Sequence, residues 1–242
     1  MKKHTSVFFL AARRALPGFG LLLALMAAAE TLLFYLVLGR GSELYPEALF
    51  DKAGLGLVCG VGFVALCALL VLPRLEMGGK QGYALRRFSL PRWEVWLWES
   101  ASNALCFLIF WGVQLGIVLA LFAVYESRTE ALSPQSLLLT FYRNEFLHSL
   151  LPLREGSRWV RNIFFVLSLG AMTAAAPLRM YVGKKGSLVW LVFWMAMIFG
   201  FFGRGIGSFS GDLFFCALGA VTLAVEACAM LNALGGEEDD EI

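Results

Sequence analysis

Apolar residues run along this chain in long blocks rather than in short periodic stripes. Residues 53–73, 100–125, 162–178 and 186–203 hold no Asp, Glu, Lys or Arg, while 17–38 and 213–233 hold one acid each, Glu30 and Glu226. Blocks of this size match the roughly 17–25 residues that cross about 30 Å of hydrocarbon. A soluble protein of this length would divide its apolar residues among short amphipathic elements instead. The pattern predicts an all-α polytopic membrane protein with six transmembrane helices in a single domain covering 1–242.

Three segments outside these blocks are too apolar for solvated loops. In residues 3–15, Val7, Phe8, Ala11, Ala12 and Ala15 follow helical spacing with basic residues at the ends, which predicts an interfacial helix feeding the first span. Pro17 then suits the first turn of that span. In 133–153, Ser136, Thr140, Arg143, Asn144 and His148 recur at helical spacing among leucines and aromatics. This predicts one amphipathic surface helix, with Ser133 as N-cap and Pro134 next to it. The third segment lies between the second and third spans and carries most of the functional signal.

Composition supports the membrane reading: 59% of residues are hydrophobic and 16% charged, against about 45–50% and about 25% in soluble domains. A net charge of +2 is too small to suggest a nucleic-acid partner. Its distribution is more informative. Six spans place both termini on one side, with twelve Lys and Arg residues in the segments on that side and eight on the other. Five of those eight, Arg128, Arg143, Arg154, Arg158 and Arg161, fall in one long connection mixed with acids, so the short loops point to cytoplasmic termini. Arg13 and Arg14 interrupt the first apolar run too early for a cleaved secretory signal. All five cysteines lie in apolar blocks, as buried thiols do. The acidic tail GGEEDDEI reads as a solvated end.

Enzyme chemistry finds little to use. Both histidines, His4 and His148, lie outside the spans, and neither GxSxG nor HExxH occurs. The run GFFGRGIGSFSGD, with Gly203, Gly205, Gly207 and Gly211, has no P-loop lysine and no preceding strand. It reads as a turn before the sixth span, capped by Ser210 or Asp212. No cofactor and no metal site is expected. Glu30 and Glu226 differ from their surroundings, because a charged carboxylate near the bilayer centre costs about 2.5–3.5 kcal/mol on insertion scales. Such a residue faces the bundle, a partner or water. Glu30, Gln114 and Glu226 are therefore candidates for a substrate path or a subunit interface, and the structural alternative is a hydrogen bond to Gln114 or Asn103.

From Gly78 the third segment reads GGKQGYALRRFSLPRWEVWLWES. A basic, aromatic stretch meets a break at Ser89–Leu90–Pro91, and a helix then continues into the third span. Ser89 suits an N-cap and Pro91 a first turn. Trp93, Trp96 and Trp98 suit the headgroup region, with their N–H groups reaching water. An interfacial anchor explains the tryptophans and arginines, but it does not explain a sharp turn at a fixed point.

With this loop, its amphipathic N-terminal segment and its six spans, the chain resembles the six-helix permease subunits of ABC-2 type ATP-binding cassette transporters. The resemblance covers the chain in topology, and at the level of residues it is confined to about 78–105. It implies that Arg86, Arg87, Ser89, Leu90, Pro91, Arg92, Trp93 and Glu94 form the coupling surface for a cytoplasmic ATPase, with 179–186 as a lesser contact. The chain has no GxxxxGK[ST], so hydrolysis is expected on that separate ATPase. A second permease subunit, identical or related, and a bacterial cell membrane are also implied. Three alternatives remain open: a substrate-capture subunit of an importer, a membrane enzyme, and a structural or sensory membrane protein.

Overall fold

The computed structural model describes residues 2–39, 45–76, 91–128, 136–153, 155–181, 186–203 and 208–238. Among them the regular structure is entirely helical: α1 (Lys2–Leu38), α2 (Pro46–Lys52), α3 (Leu55–Glu76), α4 (Arg92–Arg128), α5 (Ser136–Arg143), α6 (Glu145–Leu150), α7 (Gly156–Tyr181), α8 (Gly186–Phe202) and α9 (Phe209–Glu238). Five of these, α1, α3, α4, α7 and α9, are long and apolar enough to cross a membrane. The block at 186–203 yields α8, whose 17 residues rise only about 25 Å and fall short of the full hydrocarbon thickness.

The expected interfacial helix is not a separate element. Residues 2–38 form one helix of 37 residues with Pro17 inside it, not in a first turn. One proline removes one backbone hydrogen bond, and the long helix-forming runs on both sides carry the helix through that gap. Likewise, 136–150 forms two short helices instead of one. Asn144 stops α5 and caps α6, its side-chain oxygen accepting from Leu147 N–H at 3.0 Å. Ser133 and Pro134 lie outside the described residues.

The end of the bundle where α1 finishes and α3 begins is here termed distal, and the opposite end proximal. At the distal end, the Asn144 amide donates to Asp51 at 2.8 Å and to the Glu47 carbonyl at 3.1 Å, and Arg143 reaches Glu47 at 3.4 Å. These bonds tie α5 and α6 to α2. Replacing Asn144 with alanine removes the cap and both donated bonds, and is expected to cost about 2 kcal/mol, read as a lower melting temperature in detergent.

Of the polar positions on the predicted amphipathic helix, Arg143 is exposed, whereas Thr140, Asn144 and His148 are turned inward. Ser149 is buried with them, and all of α6 from Phe146 to Leu150 is enclosed. The hairpin dips into the bundle because aromatic rings receive it. The Trp111 indole, midway along α4, donates to the Leu150 carbonyl at 2.9 Å, and the Phe146 ring lies 5.7 Å from that of Phe202.

An aromatic core fills the centre. The ring of Phe63 has Phe110 at 4.7 Å, Phe165 and Phe202 at 5.6 Å, Trp111 at 5.8 Å and Phe107 at 6.0 Å. Offset and edge-on pairs of this kind add about 0.5–1.5 kcal/mol each beyond the area they bury. α7 packs against α3, α4, α8 and α9. Its run Gly170–Ala171 and Ala174–Ala176 presents small side chains that let neighbouring backbones approach closely. All five cysteines are free: Cys59 and Cys67 are buried as expected, whereas Cys228 is exposed on α9.

Candidate functional site

α4 begins where the sequence breaks. The Pro91 carbonyl accepts from Glu94 N–H at 3.1 Å and Val95 N–H at 3.3 Å, so the capping position is Pro91 itself. Helix then runs without interruption from Arg92 to Arg128. Of the proposed coupling residues, Arg86, Arg87, Ser89 and Leu90 lie outside the described residues. Arg92 is the first residue of α4, with half-buried Trp93 and Glu94 following it.

The first turns of α4 are fastened on two sides. Arg74, at the end of α3, donates to Glu99 at 3.1 Å. The Trp96 indole donates to the Ala171 carbonyl of α7 at 3.1 Å, and the Asn103 amide to Thr173 at 3.0 Å. Trp96 is therefore packed against α7: its N–H meets a backbone carbonyl where water was expected. Ala171 is within reach because Gly170, next to it, brings the two helices into contact. A Cβ on Gly170 would stand 2.8 Å from the Ala104 Cβ and 2.9 Å from Ala104 N and Ser100 O.

The two acids of the apolar blocks have opposite surroundings although both are buried. Glu226 accepts from Arg179 at 3.1 Å and from the Ser187 hydroxyl at 2.9 Å, and Arg179 also donates to Ser187 at 2.7 Å. No cation was expected near it, because none lies within an apolar block. Arg179 follows the fourth block by one residue, and its long side chain reaches back along α7. The result is a part-buried ion pair joining α7, α8 and α9.

Among the described residues Glu30 has no such cationic partner. It lies one turn beyond a layer in which Met26 of α1 and Phe110 of α4 both crowd Gly62 of α3. In its own layer it faces Gln114 of α4 and Cys59 of α3. Glu30 and Gln114 are fully buried, and both side-chain polar atoms of each lack a well-formed hydrogen bond. The alternative partner considered for these acids, Asn103, is engaged by Thr173.

A second constellation was not anticipated from the sequence. Arg158 and Arg161, counted above as loop charges, are fully buried in α7 at the distal end. Arg161 donates to Asp212 at 3.0 Å and to Asn162 at 3.2 and 3.3 Å, with its guanidinium 4.2 Å from the centre of the Phe201 ring. Arg158 pairs with Glu155 at 2.6 Å and Asp212 at 3.6 Å, and His148 lies 3.4 Å from Glu155. Asn162 completes the set by donating to the Ser149 carbonyl at 3.0 Å. Among the described residues, two arginines thus face two carboxylates. Asp212 does not cap α9, as the sequence suggested for it or Ser210. The Ser208 carbonyl accepts from Gly211 and Asp212 N–H at 3.0 and 3.2 Å, placing the helix start earlier. Gly205 and Gly207 lie outside the described residues.

No family model, curated protein or solved structure matches this chain. The assignment of a role therefore rests on the placement of its own residues.

Proposed function

We propose that this chain is the transmembrane permease subunit of an ATP-driven ABC transporter working as an exporter. In this reading it has six spans, with α8 as the short fifth, and both termini are cytoplasmic. It lies in a bacterial cell membrane and pairs with a second permease subunit. A separate cytoplasmic ATPase docks on Arg86 to Glu94, and 179–186 is a lesser contact.

The observation that carries the reading is the continuity of α4. A displacement applied near Pro91 meets a helix of 37 residues with no break before Arg128. The Arg74–Glu99 pair and the Trp96–Ala171 bond would pass that displacement to α3 and α7 as well. A loop at the same place would absorb it. The basic character of 78–92, and the excess of Lys and Arg in the short proximal connections, favour a cytoplasmic contact at this end.

The test is co-purification with a cytoplasmic ABC ATPase, sought first in a gene beside this one. The Arg87→Glu/Arg92→Glu double variant, present in the membrane at the wild-type level, is expected to lose most of the bound ATPase. Equal recovery with both proteins overturns the coupling assignment.

A further inference from the structure

Glu30 is the buried acid for which the described residues supply no cation. α1 packs on α2, α3 and α4. The charged residues of those elements sit at their ends: Glu47, Asp51 and Lys52 on α2, Arg74 and Glu76 on α3, and Arg92, Glu94, Glu99, Glu126 and Arg128 on α4. Gln114 is twelve residues from Glu126 and fifteen from Glu99, so none of these shares its layer. Along α1 no other charge occurs between Arg14 and the helix end. Among the described residues, none places a positive charge beside this carboxylate.

Hydrogen-bond accounting identifies what balances it. An ionised Glu30 offers only acceptors, so the Gln114 amide can donate to it while the amide oxygen stays without a donor. One added proton completes the set. The acid O–H then donates to Gln114 Oε1, and Gln114 Nε2–H donates to the other carboxyl oxygen, pairing all four orphaned atoms in a closed ring. A bare metal cation fits less well. Hard cations take six or more oxygens, and among the described residues no cluster of three or more His, Cys, Asp or Glu side chains is placed to hold a metal ion.

We propose that Glu30 and Gln114 form a reversible proton-binding site, closed as an acid–amide ring between α1 and α4. With the proton bound, two hydrogen bonds join the helices across their apolar contact. When the proton leaves, the ring opens and an uncompensated carboxylate remains between α1, α3 and α4, which loosens α1 from the helix that carries the proximal handle. The site thus makes the α1–α4 contact dependent on protonation, and it does so whether or not an ATPase binds at that handle.

Infrared spectroscopy of the purified full-length protein in lipid nanodiscs tests this directly. The wild type is expected to show the carbonyl stretch of a protonated carboxyl at neutral pH. Glu30→Gln removes that band completely, Glu226→Gln leaves it, and Gln114→Leu shifts it toward an unbonded acid. Melting of the wild type falls as alkaline pH removes the proton, whereas Glu30→Gln keeps both bonds as an amide pair and shows no such fall. Spectra of wild type and Glu30→Gln that superimpose in this region at every pH overturn the proposal. So does a carboxylate band that responds to exchanging sodium for choline with no protonated band present. Should Glu30→Gln fail to fold, a band unmoved by Gln114→Leu has the same force.

Discussion

Asp212→Ala is expected to destabilise the bundle by about 3–5 kcal/mol, because it removes one partner from a buried charge network and leaves the other behind. Asp212 is the carboxylate shared by Arg161 at 3.0 Å and Arg158 at 3.6 Å. Without it two fully buried guanidinium groups lose the carboxylate they share. The double variant Asp212→Ala/Arg161→Met should recover much of the loss, since an apolar side chain replaces the uncompensated charge. Melting in detergent separates the cases. If the single variant melts within a degree or two of wild type, the cluster is not the buried network described.

Gly170→Val should act nearly as strongly through packing alone. The added atoms meet Ala104 N and Ser100 O at 2.9 Å, and backbone cannot turn aside as a side-chain tip can. Overpacking costs about 1–3 kcal/mol. Separating α4 from α7 also strains the Trp96–Ala171 and Asn103–Thr173 bonds, which adds about 1 kcal/mol for each one lost. Gly116→Val is the matched control on α4. Its Cβ meets nothing within 4 Å, so a change within about 0.5 kcal/mol is expected. Equal melting of the two glycine variants would mean that α4 and α7 are not in close contact at Gly170.

The helices were legible because apolar block length is a local property: five blocks return as helices of spanning length, and the sixth as the short α8. The run of α4 from the Ser89–Pro91 break into the third block was legible for the same reason. Relationships across the chain were not. Arg161 and Asp212 are 51 positions apart, and Arg179 and Glu226 are 47 apart, distances at which no spacing rule operates. Counting Arg158 and Arg161 as loop charges missed a usable local sign, two arginines and an asparagine within one turn and a half at the head of an apolar helix. The fold of 136–150 had a local sign too. Asn144 competes for the backbone as asparagines do at helix starts, and that competition outweighed the amphipathic period that suggested one helix. Trp96 carried no such mark, since a tryptophan reaching water and one packed against a neighbouring helix look alike until the opposing carbonyl is known.

The hairpin and the aromatic core together bear on where a transported molecule would travel. The Leu150 carbonyl reaches Trp111 halfway along α4, and below it the rings of Phe63, Phe165, Phe201 and Phe202 close on one another, with Phe165 and Phe201 stacked at 4.0 Å. A route along the axis of one bundle would have to dismantle both. Under the proposed transporter reading, cargo would be carried along its flank, in a seam shared by two copies or two relatives. The determinants of cargo choice would then sit among the outward-facing side chains of the long helices.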